Sequence, residues 1–207
     1  MGPSTAVADA LLVQAKAQDA SRLPTLMKHL EKALPGVAKL SAAYSPEQKQ
    51  FYAYLYLDKR RNCTADEATS LQTSLQKEFP QLGDVRVSRL EQVFTTDGAS
   101  KGTAVIFHYV VEMDPEPGWM PELSQWYDTE HMPGLAKVPG CIRASRFLNH
   151  DHGPLSLACY DLVTEDTLGS EPWLAIRGTE WSSRMRPRFT NTIRTMFSLL
   201  PDSKPQR

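Results

Sequence analysis

The chain has 207 residues, enough for one large domain or two of about 100 residues each. Hydrophobic residues make up 41% and charged residues 23%, which excludes a disordered chain. A net charge of -1, with no basic run longer than Lys59-Arg60-Arg61, argues against a nucleic-acid partner.

Cys63, Cys141 and Cys159 are odd in number and scattered, so neither a disulfide framework nor a zinc site is implied. No signal-like leader is visible, and no apolar run approaches the ~20 residues of a membrane helix. The expectation is a cytoplasmic protein with no membrane partner.

Taken in chain order, residues 8–18 read as a strand centred on Leu11, Leu12 and Val13. Leu23, Leu26, Met27, Leu30 and Leu34 recur at helical spacing, and Pro35-Gly36 ends that helix. Val37 to Tyr44 is a second strand. Phe51 to Leu57 is a third, with Tyr52, Tyr54 and Tyr56 alternating onto one face. Thr64 with Glu67 three residues later is a capping box, opening a helix to about Phe79. Val85 to Phe94 is the next strand. The order β-α-β-β-α-β is the ferredoxin-like split unit.

After a short polar stretch, Thr96 to Lys101, the order restarts. Strands are predicted at Thr103 to Glu112, Cys141 to Leu148, Leu155 to Val163 and Thr192 to Leu199. Helix is predicted from Glu122 to Lys137, broken at Pro133, and from Pro172 to Phe189. Val138-Pro139-Gly140 repeats Leu34-Pro35-Gly36 at an offset of 104 residues, and the strands that follow keep that offset. This predicts an α+β protein of two tandem ferredoxin-like halves, residues 1–98 and 99–207. Their apolar sheet faces would close on each other as an intrachain dimeric-type α/β barrel.

One stretch has the composition of a reaction site. On a helix, Tyr127, Glu130 and His131 share a face, and Asp128 lies three residues before His131. Free carbonyls at the helix end and neighbouring carboxylates would favour a charged imidazole suited to proton transfer. At an offset of 104, Tyr127, Asp128, Glu130 and His131 fall on Leu23, Pro24, Leu26 and Met27. The first half is apolar at those places, which predicts one equipped half and one supporting half.

The segment Trp126-Tyr127-Asp128-Thr129-Glu130-His131-Met132-Pro133, followed by Val138 to Phe147, resembles the dimeric α/β-barrel superfamily and, within it, EthD-like proteins. Trp181 to Phe189 resembles the last helix of such sequences. The likeness spans about residues 103–199. It implies the fold, and it implies an acid/base role for the histidine of this helix, which His131 matches. It leaves the reaction open, because the superfamily hosts oxygenases, cyclases, dehydratases, decarboxylases, isomerases, haem proteins and binding modules.

The expectation is therefore an enzyme of lyase, isomerase or cyclase type that needs no cofactor and acts on a hydrophobic aromatic or polyketide-like molecule of secondary metabolism. His131 would move the proton, Asp128 or Glu130 would orient it, and Tyr127 would stabilise a developing oxyanion. His108, Trp126, Arg146, Tyr54 and Tyr56 are the predicted substrate-binding residues. The alternatives are a haem-binding protein with His131 or His108 on iron, a cofactor-free monooxygenase, and a non-catalytic small-molecule binder, each as a monomer or homodimer. His150-Asp151-His152 lacks a third ligand nearby, so no metal site is expected.

Overall fold

A computed structural model describes residues 4–201. Each half runs β-α-β-β-α-β. The first contains β1 (Thr5–Lys16), α1 (Leu23–Leu30), β2 (Val37–Ser45), β3 (Gln50–Thr64), α2 (Ala65–Glu78) and β4 (Gly83–Asp97). The second contains β5 (Phe107–Pro115), α3 (Met120–Trp126), a π-turn (Tyr127–His131), α4 (Met132–Ala136), β6 (Cys141–Asn149) and β7 (Ser156–Leu162). It ends with a 3-10 turn (Glu165–Gly169), α5 (Glu171–Arg177), α6 (Glu180–Met185), a second 3-10 turn (Arg186–Arg188) and β8 (Phe189–Leu199). The class is α+β, with antiparallel strands.

The chain forms two compact units. The first holds the chain up to Gln92, with Leu148–His152 and the end of β8 from Phe197; the second holds Val93–Phe147 and Gly153–Met196. Strand order in the first is β4-β1-β3-β2, and in the second β8-β5-β7-β6. In the first unit β1 lies antiparallel to β3, from Thr5 opposite Thr64 to Lys16 opposite Gln50. In the second, β5 lies antiparallel to β7, from Phe107 opposite Leu162 to Met113 opposite Ser156.

The first unit packs α1 and α2 on one sheet face. Leu23, Leu26, Met27 and Leu30 of α1 meet Leu11, Val13, Ala15, Phe51 and Leu55 in one buried cluster. Thr64 caps α2 as its sequence requires: its hydroxyl accepts from the Glu67 N–H, and the Glu67 carboxylate accepts from the Thr64 N–H. Gly36 and Gly140, matched at the 104-residue offset, both hold the left-handed conformation that glycine adopts without strain, at φ of 80° and 95°.

Three sequence-based boundaries need correction. β5 begins at Phe107 rather than Thr103, and Ile106 is 48% exposed. The last helical stretch is two short helices and a 3-10 turn, not one helix. The chain does not leave the helix at Pro133: Met132 has φ -69° and ψ -44°, fully helical. The π-turn is the reason. The Met132 N–H donates to the Tyr127 carbonyl, five residues back, and Pro133, which has no N–H, opens α4 where none is needed. Among the described residues no helix is long and apolar enough to cross a membrane.

Candidate active site

The π-turn sets the site. The buried pairs Trp126-Tyr127, His131-Met132 and Leu135-Ala136 are spaced by five residues and then four. In a regular α-helix a step of five overshoots one turn by about 140° and would swing His131 off the buried face. The wider turn absorbs the extra residue. Tyr127 and His131 then both enter the layer between helices and sheet, at 2% and 9% exposure.

There the His131 ring stacks on Trp126, centroids 4.2 Å apart and planes at 24°. Tyr127 meets it edge-on at 5.8 Å. The Ser182 hydroxyl stands 3.4 Å from His131 Nδ1. Trp126, Tyr127 and His131 line a cavity of about 40 Å3, together with Tyr109, Tyr160, Trp173, Phe189, Leu135 and Val111. Arg177, Arg186 and Arg194 complete the lining; the first is half-buried and the other two are exposed, so they form its solvent side.

The charge state of His131 reverses the sequence-based expectation. Burial first, then the guanidinium groups of Arg177 and Arg186, push its pKa from 6.5 down to about 3. The imidazole is neutral at pH 7, the form that accepts a proton. Neither predicted carboxylate bonds to it directly. Asp128 accepts from Arg146 Nη2 at 3.0 Å, and Glu130 accepts from the Thr179 hydroxyl at 2.7 Å. Thr179 and Ser182, which the sequence reading missed, connect Glu130 to the imidazole: the Thr179 hydroxyl also lies 2.8 Å from Ser182 Oγ. Burial pushes the Tyr127 and Tyr160 hydroxyls well above the usual phenol range, so both remain protonated donors.

The other predicted binding residues divide. Trp126 lines the cavity. Arg146 does not, but its guanidinium lies 5.5 Å over the Tyr127 ring, and its Nε and Nη1 are buried without a hydrogen-bond partner. His108 is not part of the lining; its Nδ1 lies 2.8 Å from Asp161 Oδ1. Tyr54 and Tyr56 belong to the first unit, stacked at 6.0 Å and 15°, and are also absent from the lining. In His150-Asp151-His152 each side chain has a partner in the first unit: Glu91, Arg89 and Gln72 respectively. Among the described residues no group of three His, Cys, Asp or Glu is placed to hold a metal ion. All three cysteines are buried and in no disulfide, and burial pushes the Cys141 thiol up to about 12.

No protein-family model matches this sequence, and neither does any curated protein. Solved structures do resemble it. A proposed monooxygenase of Fusobacterium nucleatum subsp. nucleatum superposes with a TM-score of 0.61 at 10% identity, covering 97% of this chain and 94% of that one. An anthrone oxidase-like protein gives 0.61 at 11% identity, covering 95% and 94%. A chlorite dismutase variant from Candidatus Nitrospira defluvii gives 0.59 at 8% identity, covering 94% and 92%. At such identities the likeness shows the fold, which is ferredoxin-like and of the dimeric α/β-barrel type.

Proposed function

We propose that the protein is a cofactor-independent enzyme in which His131 is the general base, removing an acidic proton from a hydrophobic small molecule. The observation that carries this reading is a buried imidazole on a π-turn, facing a cavity lined by aromatic rings and hydrogen-bond donors. Ser182 and Trp126 hold the ring, and Tyr127 supplies a hydroxyl to the oxygen on which charge develops. The chain is read as a tandem pair with an EthD-like second half, acting in the cytoplasm as a monomer or homodimer.

The names of the structural neighbours favour an oxygenation as the fate of the deprotonated substrate. With an anthrone-type substrate, His131 takes one proton of the acidic CH2. The carbanion passes its electrons to dioxygen, and the peroxide forms on that carbon. Loss of water with the second hydrogen leaves a carbonyl. One oxygen atom enters the product and one enters water, and the substrate is itself the reductant. The same deprotonation without oxygen would serve an isomerase or lyase.

Haem fits this site poorly. A macrocycle centred on His131 needs open space on every side of the bond to iron, in a pocket of roughly 300–1,000 Å3 for a ligand of that size. A cavity of about 40 Å3 admits only the edge of a molecule. His108 is already engaged by Asp161.

The test is turnover of anthrone, and of anthrones that carry a carboxylate, to the anthraquinone, with oxygen uptake recorded. His131→Ala should lower the rate by ~10²–10⁴. Under nitrogen, oxidation should stop while exchange of the CH2 with deuterated solvent continues. Undiminished turnover in a folded His131→Ala protein would remove the histidine from the reaction, and an oxygen-independent product of unchanged mass would move the reading to an isomerase.

A further inference from the structure

We infer that the His131 cavity receives its ligand by an anionic head group, a carboxylate, with Arg177 and Arg186 setting that preference. This makes the substrate an organic acid. It rests on the reading of the cavity as the place where His131 acts.

Every polar side chain in the lining can donate a hydrogen bond, and none is a carboxylate. Inside, the indole Nε1–H of Trp126 is buried with no acceptor. Tyr127 and Tyr160, each 2% exposed, add two protonated hydroxyls to the same lining. A buried donor without an acceptor is costly, and natural proteins rarely leave one unmet. An acceptor is the missing chemistry.

The rim agrees with the interior. Arg184 and Arg188, from the same stretch of chain, pair with Glu122 and Glu116. Arg177 and Arg186 have no ion-pair partner among the described residues; Arg186 Nε donates only to the Ser182 carbonyl at 3.4 Å. Two guanidinium groups without an ion pair, beside a buried indole N–H without an acceptor, match a planar anion, which arginine binds through paired hydrogen bonds. Size narrows the choice further. An apolar cavity that holds benzene is about 150 Å3. About 40 Å3 suits a head group of a few atoms together with the acidic carbon beside it.

The probes are benzoate, its uncharged isostere benzamide, and nitrate, titrated calorimetrically into the whole chain. A carboxylate held by charge-assisted bonds should bind ~10–100-fold more tightly than the amide. The advantage should shrink as ionic strength rises. Arg177→Gln and Arg186→Gln should each remove most of it, the lysine variants should restore part of it, and Arg184→Gln should leave it intact. Benzamide binding as well as benzoate, no binding of benzoate, or an unchanged affinity in the Arg177→Gln/Arg186→Gln double variant would overturn the inference. Nitrate matching benzoate would assign the site to a bare anion and overturn the organic-acid class. His131→Phe separates this inference from the base reading. Turnover surviving in that variant, with benzoate still governed by the arginines, would sink the base and leave the anion site standing.

Discussion

Each unit buries one arginine to 2% exposure, and the two are treated in opposite ways. In the first unit Arg89 is saturated. Its Nε and Nη2 donate to the Asp151 carboxylate at 3.0 and 2.7 Å, and its Nη1 donates to the carbonyls of Ser4 and Cys63. In the second unit Arg146 donates once, through Nη2 to Asp128, and keeps Nε and Nη1 without partners above the Tyr127 ring. The helices repeat the contrast. Leu23, Leu26 and Met27 are core residues of α1, whereas Tyr127, Glu130 and His131 bring hydroxyl, carboxylate and imidazole to the matched positions. The buried guanidinium is fully satisfied in the unit whose helix carries only apolar side chains at the matched positions. In the unit that carries His131, the buried guanidinium and the Trp126 indole beside the cavity keep donors unmet.

The sharpest way to break this contrast is to remove the two carboxylate partners. Asp151→Ala leaves a buried guanidinium without its charge partner, and denaturant melts should show a loss of ~3–5 kcal/mol. Asp128 is 36% exposed, so water can replace it, and Asp128→Ala should cost only about 1 kcal/mol. Equal losses would mean that Arg146 is as structural as Arg89. The helices give a smaller effect. Met27→Ala truncates a packed side chain that is 6% exposed and should cost about 2–3 kcal/mol, at the low end for such changes. A silent Met27→Ala would remove the supporting role from α1.

Much of this architecture is legible before any coordinates, because it rests on local rules. The Thr64–Glu67 box, the matched Pro-Gly helix ends and the alternation of Tyr52, Tyr54 and Tyr56 each depend on a few neighbouring residues. The site is legible in location but not in electrostatics. Asp128 and Glu130 are near His131 in sequence, yet their partners Arg146 and Thr179 arrive from β6 and from the cap of α6. The charges that act on the imidazole, Arg177 and Arg186, lie some fifty residues further on. The π-turn escaped because the proline rule was applied to Met132 alone. The signal in the sequence is the spacing of the pairs Trp126-Tyr127, His131-Met132 and Leu135-Ala136, five residues and then four apart. Arg89 left a fainter trace, as a charged residue between Ser88 and Leu90 in a strand that alternation alone makes hard to assign to a face.

The smallest effect tests the claim on which the mechanism depends, that His131 is a neutral base. Its pKa falls from 6.5 in the unfolded chain to about 3 in the fold, so between those values the unfolded chain binds the extra proton and the folded one does not. Stability from this group is therefore complete above pH 6.5 and drains away as pH falls toward about 3. By pH 5 the loss should be about 2 kcal/mol. Carboxylates held low by ion pairs, Asp151 and Glu67 among them, lose their contribution only at more acid pH, with the same sign. Phenylalanine separates the two contributions. His131→Phe keeps an aromatic ring against Trp126 and gives up only the 3.4 Å bond to Ser182. The variant should be at least as stable as the parent at pH 7. Its stability should also change less between pH 7 and pH 5, by the amount assigned to His131, while turnover is lost. Identical pH profiles for parent and variant would mean that His131 titrates normally in the fold, and a charged imidazole near neutral pH would have to be a proton donor instead.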